Sequence, residues 1–260
     1  MRKINVILRN DDIDPASVTD KVAVIINALS SACAVVHALA QGADAVHVQG
    51  CWQAARHTAR GLSGEQCVIA EPPDAEAHSR FASHSVLAMD RSTLGGHTLV
   101  LTCRATSEAL GLVGTAAHVY VAALLNAPAM VARLLEHQGL ALELICTGPG
   151  GRPSLIDLYT AGYLVEHLMQ HSQDGWLCSD SALMARAVYR QYRGQPQHCL
   201  DDSLAATLLS SKGQAAPAQD ICDVGRHEVI AHLQEGALVS SQLLHWVPAA
   251  RPLKALHHGR

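Results

Sequence analysis

Short runs of apolar, often β-branched residues alternate along this chain with segments whose apolar residues recur at helical spacing, and that alternation limits the fold more than any other feature. Ile4 to Leu8, Val22 to Ile26, Ala45 to Val48, Thr98 to Leu101, His118 to Ala122 and Leu142 to Cys146 read as strands. Several are apolar at successive positions and hence on both faces, as strands of a buried parallel sheet are. Between them, Ser31 to Gln41, Trp52 to Arg60, Ser107 to Gly111 and Ala127 to Gln138 carry the spacing of helices that lie on such a sheet. The fold class is therefore α/β, a layered α/β/α arrangement around a mostly parallel sheet.

After Cys146 the pattern changes. A glycine-rich turn, Gly148-Pro149-Gly150-Gly151-Arg152-Pro153, leads into Ser154-Leu155-Ile156-Asp157, which reads as a helix N-cap with a carboxylate three residues on. Further helices are expected through Ala161 to about Met169, over Ser181 to Gln191 and over Arg226 to Gln234, with a closing strand at Leu243 to Val247. This division suggests two subdomains, 1–140 and 141–260.

Composition removes several functional classes. The 260 residues are 49% hydrophobic, enough for a large core, and the formal charge of -4 comes with no run of Lys or Arg, so no nucleic-acid footprint is present. The apolar stretch near Met1 is interrupted by Asp11, Asp12 and Asp14, too early for a signal sequence, and no other stretch suits a membrane span. A cytoplasmic protein is expected, with no membrane partner. The eight cysteines are scattered without a CxxC pair and read as reduced thiols. Among the sixteen histidines, His227 and His232 flank a Glu in a zinc-protease-like string. Their spacing of five, however, sets them about 140° apart on a helix, so they do not share a face. Pairing of two copies through a sheet edge or helix face, a homodimer, stays open.

Ligands of open parallel sheets bind beyond the C-terminal ends of strands, where loop amides and helix N-termini converge. Three such ends carry polar groups. Asn27 to Ser31 follows a strand, with Ser30 and Ser31 suited to cap the next helix or touch a ligand. Thr102 to Glu108 gathers hydroxyls, a cation and a carboxylate. Gly148 to Ser154 offers the free amides of Gly150 and Gly151, a helix start and Arg152, a combination that suits a phosphate, sulfonate or carboxylate. The glycine spacing matches neither a Walker loop nor GxGxxG.

The ordered segments resemble the 2-phosphosulfolactate phosphatase family from about Asn5 to Val247. Val22 to Ala32 is similar to its Val-Ile-Asp-x-Leu-Arg-Ala-Thr segment, and Ala38 to Ala43 to its Ala-Leu-x-x-Gly-Ala. Leu62 to Glu65 is similar to its Gly-Glu-Arg turn, and Phe81 to Leu87 to its Phe-Asp-x-Gly-Asn-Ser-Pro-Leu. Val100-Leu101-Thr102 opens its Thr-Thr-Asn-Gly-Thr, and Leu125-Asn126-Ala127 matches Leu-Asn-Ala/Ser. Gly148 to Gly162 follows Gly-x-Gly-Gly-x-x-Ser-Leu-Glu-Asp-x-x-x-Ala-Gly. The resemblance implies a Mg²⁺-dependent phosphatase acting on a small anionic molecule. It also implies Glu65 and Asp157 as catalytic and metal-binding residues, and Asn27, Ser30, Ser31, Ser85, Thr102, Gly150, Gly151, Arg152 and Ser154 as substrate contacts.

The departures carry equal weight. Asn27 and Ser30 stand for an Asp and an Arg, Gln66 for an Arg, His84-Ser85-Val86 for Asn-Ser-Pro, and Ile156 for a Glu. Magnesium prefers carboxylate oxygens, and phosphoryl transfer needs cations on the developing charge. Two readings follow. In one, Glu65 and Asp157 still hold a metal and the chain hydrolyses a phosphomonoester. In the other, it is a catalytically inactive homologue that binds a small molecule or assists another enzyme, with His84 and Cys103 as softer, transition-metal ligands.

Overall fold

The computed structural model describes residues 2–62, 67–70, 83–137, 139–171, 175–204, 206–207 and 218–241. The strands are β1 (Arg2–Ile7), β2 (Val22–Ile26), β3 (Ala45–Gln49), β4 (Cys67–Ala70), β5 (Thr98–Thr102), β6 (His118–Ala122), β7 (Leu142–Cys146), β8 (Trp176–Cys178), β9 (Ile230–Gln234) and β10 (Ala237–Ser241). The principal helices are α1 (Ser31–Ala40), α2 (Trp52–Gly61), α3 (Arg91–Leu94), α4 (Arg104–Leu112), α5 (Ala127–Glu136), α6 (Leu155–His171), α7 (Asp180–Gln191) and α8 (Pro196–Asp201). All ten strands join one sheet in the order β4-β5-β3-β10-β9-β6-β2-β7-β1-β8. Strands from both sides of residue 140 alternate within it.

The most apolar strands, β2 and β7, lie inside the larger parallel part of the sheet, β6-β2-β7-β1-β8. Every residue of β2 and β7 is buried, because each has a parallel neighbour on both sides and packed side chains on both faces. Ala23 and Ile25 enter one core with α1, while Val22, Val24 and Ile26 enter another with α5, α6 and α7. The α6–α7 contact is close enough to require Gly162, where an added Cβ would lie 2.0 Å from the Ala185 carbonyl oxygen.

The sheet contains two parallel blocks, β6-β2-β7-β1-β8 and β4-β5-β3. The β9–β10 hairpin joins them with antiparallel contacts on each side. Residues 226–234, expected as a helix, instead supply β9. Ile230 and Ala231 are buried in the sheet, and the chain reverses through Glu235 and Gly236 at φ 50° and 81°, the backbone of a tight two-residue hairpin turn. Hydrogen-bond partners on both flanks outweigh the local helical spacing. The closing strand expected at 243–247 lies outside the described residues.

Twist of roughly 20–25° per strand turns β5 by about 100–125° from β2 across five inter-strand steps. The curled sheet is filled by α1, which packs against β3, β6, β9 and β10 together. Nine of its ten residues are buried, so the helix is apolar nearly all round rather than amphipathic. Fully burying Val35, Val36 and Leu39 contributes on the order of 1.5–3 kcal/mol each. Among the described residues no helix is long and apolar enough to cross a membrane. The seven cysteines with described side chains are free thiols, as expected.

One polar pair interrupts the apolar surface of α1. His37 Nε2 donates to the Met89 carbonyl at 2.8 Å, which leaves Nδ1 to accept from His227 Nε2 at 3.2 Å. Burial, with the neighbouring His37 and Arg226, pushes the His227 imidazole down to about 4 from its usual 6.5. Such a group binds more protons unfolded than folded between those values, so its contribution is present above pH 6.5 and is lost as pH falls toward 4. Chemical denaturation of wild type should show this loss, and His227→Gln, which keeps a donor for His37 but does not titrate, should show a shallower slope.

Candidate functional site

The C-terminal ends of β2, β5 and β7 converge through side chains. Asn27, directly after β2, donates from Nδ2 to Thr147 Oγ1 at 2.9 Å and Thr106 Oγ1 at 3.3 Å, and lies 3.9 Å from Cys103 Sγ. Thr147 passes its own proton to the Ile26 carbonyl at 3.3 Å, so an amide donor suits this position. Thr106 shares a 2.6 Å hydrogen bond with Ser31. The serines ahead of α1 therefore do not cap it: Ser30 makes no side-chain capping bond, and the Ser31 hydroxyl is spent across the site.

The glycine turn is held against this cluster by Asp157. Its Oδ1 accepts the Ala28 amide at 2.7 Å and its Oδ2 the Gly148 amide at 3.1 Å. Ser154 caps α6 as expected, its Oγ accepting the Asp157 amide at 3.3 Å. Half of a capping box is therefore formed, and the other half is redirected to the ends of β2 and β7. Burial pushes the Asp157 carboxyl up to about 7, against hydrogen bonds from Ala28, Gly148 and Ser154 that favour its ionised form. Gly148 itself is fixed by crowding: a Cβ there would sit 1.9 Å from the Arg152 carbonyl oxygen.

Two buried oxygens, Asn10 Oδ1 and Thr102 Oγ1, have no hydrogen-bond partner among the described residues. Their residues are only 8% and 7% exposed. Thr102 ends β5 immediately before the α4 N-cap Cys103, and Asn10 donates from Nδ2 to the Ala105 carbonyl in the first turn of α4 at 2.7 Å. That helix packs against both the 10–12 turn and the 149–151 turn, and its N-cap Cys103 makes no side-chain capping bond to a backbone amide, leaving the first-turn amides uncapped. Gly150 and Arg152 are exposed beside it, and the Arg152 guanidinium has no hydrogen bond or ion pair among the described residues.

Of the residues anticipated from sequence, Asn27, Ser31, Ser154 and Asp157 thus gather at the joined strand ends, Thr102 ends β5 next to the α4 N-cap, and Gly150, Gly151 and Arg152 lie on the flanking turn. Ser30 is half-buried at the start of α1. Glu65 and the side chains of His84 and Ser85 lie outside the described residues. Sequence reasoning does not single out Asn10, Thr106 or Thr147. Thr106 belongs to the polar segment after β5 and Thr147 adjoins the glycine turn, but Asn10 carries no local signal.

Residues 7–236 match the family model described as 2-phosphosulpholactate phosphatase. The chain belongs to that family. Three proteins, each called a probable 2-phosphosulfolactate phosphatase, illustrate the relation. The chain is 28% identical to that of Parasynechococcus marenigrum, covering 72% of this chain and 77% of the relative. With that of Thermus thermophilus it shares 29% identity over 81% and 85% of the two chains. With that of Symbiobacterium thermophilum it shares 30% over 78% and 84%.

The described donors do not fit the magnesium ion that the family resemblance implies. A Mg²⁺ shell needs near-octahedral oxygen ligands. Both Asp157 oxygens are already engaged by backbone amides, and Asn27 presents a donor to its neighbours. Among the described residues no three His, Cys, Asp or Glu side chains are grouped to hold a metal ion. Asp157→Ala would strand two buried amides and should cost roughly 2–5 kcal/mol, a fall in Tm on the order of 10 °C by thermal unfolding. Asp157→Asn, which keeps one acceptor, should cost less, and added Mg²⁺ should leave the wild-type Tm unchanged.

Proposed function

We propose that this family member binds a small phosphorylated, sulfonated or carboxylated molecule at the uncapped start of α4, between Thr102, Asn10 and the glycine turn with Arg152, without hydrolysing it at a rate typical of an enzyme. The observation that carries the reading is the pair of buried oxygens, Asn10 Oδ1 and Thr102 Oγ1, that have no hydrogen-bond partner among the described residues. Each such group costs about 1–3 kcal/mol when left unsatisfied, and a hydroxyl or protonated oxyanion of a ligand would relieve that cost. The amides of the first α4 turn, those of Gly150 and Gly151, and the Arg152 cation supply the complementary donors for negative charge.

Turnover has weaker support. Phosphoryl transfer relies on cations or fixed donors at the transition state, and each one lost costs on the order of 100-fold in rate. Asn27 and Ser30 carry no charge where the resemblance implies an Asp and an Arg. Hydrolysis, with Glu65 and Asp157 in catalytic roles, is favoured by one observation. The Asp157 carboxyl is raised to about 7, a value suited to proton transfer at neutral pH. That carboxyl is nonetheless buried with both oxygens on backbone amides, which suits it to positioning the turn rather than to meeting a substrate.

A panel of phosphorylated and sulfonated hydroxy acids, with and without Mg²⁺, separates the readings. The expected result is a saturable rise in Tm with at least one anion, diminished at least tenfold in affinity by Arg152→Gln or Thr102→Val, and no phosphate release above background. Mg²⁺-dependent phosphate release lost in Asp157→Asn would establish the hydrolase instead.

A further inference from the structure

A second concentration of cationic donors lies on α7 and just past its C-terminal end. Arg186 and Arg190 lie one turn apart on one face of α7, and Arg193 follows just past its C-cap Tyr192. All three converge on a single carboxylate of α6, Glu166, whose side chain is 1% exposed. Arg186 Nε donates to it at 2.6 Å, Arg190 Nε at 3.0 Å and Nη2 at 3.3 Å, and Arg193 Nη2 at 2.6 Å, with Gln170 Nε2 adding a bond at 3.0 Å. Burial opposes ionisation of Glu166, but the bonds from Arg186 and Arg190 win and hold its carboxyl below the usual range.

One arginine would be enough to neutralise Glu166 and tie α6 to α7. Three guanidiniums against one carboxylate leave two positive charges unmatched, and among the described residues no other carboxylate pairs with them. Arg190 and Arg193 keep side-chain exposures of 52% and 55%. Each arginine also retains N–H groups that the Glu166 bonds do not use. Arginine loses considerable rotamer freedom on binding, and here Glu166 has already removed that freedom, aided for Arg193 by the Tyr189 ring at 5.8 Å. The result is a fixed cluster with a surplus of two charges and outward-facing donors. A phosphate monoester or inorganic phosphate carries nearly two negative charges at neutral pH and accepts several such bonds.

We propose that Arg186, Arg190 and Arg193, pinned by Glu166, form a second binding site for a phosphate dianion, either free or as the phosphoryl group of a small molecule. The site is independent of the one near Arg152.

Titration of the full chain with inorganic phosphate at constant ionic strength, followed by calorimetry, tests this. Parallel titrations with a small phosphate monoester distinguish the free anion from the phosphorylated compound. The Arg190→Gln/Arg193→Gln variant, which leaves Arg186 to pair with Glu166, should weaken one phosphate-binding event at least tenfold. Arg152→Gln should leave that event intact. The proposal is overturned if the double variant binds phosphate as wild type does, or if only Arg152→Gln removes binding. It is also overturned if the cluster takes an acidic peptide and neither phosphate compound. An unchanged circular dichroism spectrum and Tm within a few degrees of wild type would confirm that the double variant is folded.

Discussion

The site depends on one carboxylate shared between two strands. Asp157, at the start of α6, accepts the amide of Ala28 beyond β2 and that of Gly148 beyond β7, so the loops that leave these two neighbouring strands are fixed to one helix end. Without it both amides would be buried and unpaired, and the glycine turn would lose its position relative to Asn27. The same carboxylate, in being used this way, is withdrawn from metal binding. Its elevated pKa has an equally structural origin, since burial outweighs the three hydrogen bonds that favour charge.

A larger constraint brings β5 into the same place. The two parallel blocks run in opposite senses, and only the twist accumulated through the β9–β10 hairpin lets the end of β5 approach the end of β2. The cavity that such a curl would leave is occupied by α1, whose small residues and near-complete burial allow a sheet to close around it. Fold and site are therefore coupled: the segment from Asn27 to Ser31 that begins α1 also supplies the polar contacts to Thr106 and Thr147.

Much of this is legible in the sequence where burial is two-sided. Val22 to Ile26 and Leu142 to Cys146 are apolar at nearly every position, and each has a parallel partner on both sides and every residue buried. The 226–234 segment reads wrongly as a helix because its apolar residues also satisfy helical spacing, and only distant partners in β6 and β10 decide its conformation. Ser154 is recognisable as a cap and Asp157 as the carboxylate beside it. The partner of Asp157 at Ala28, 129 residues away, leaves no trace in local spacing. The family pattern locates Asn27 and Thr102, but not Asn10, whose place beside α4 arises from a turn folded against that helix. Arg186, Arg190 and Arg193 lie close together in the sequence, yet their convergence on a buried Glu166 appears only in three dimensions.

The central claim, that Asp157 clamps Ala28 and Gly148 instead of coordinating a metal, is tested most directly by amide hydrogen exchange resolved at those two residues. Slow exchange at both, unaltered by millimolar Mg²⁺ and accelerated together in Asp157→Ala, is the outcome this account requires. Rapid exchange at either amide in the wild type, or Mg²⁺-dependent changes centred on Asp157, would contradict it.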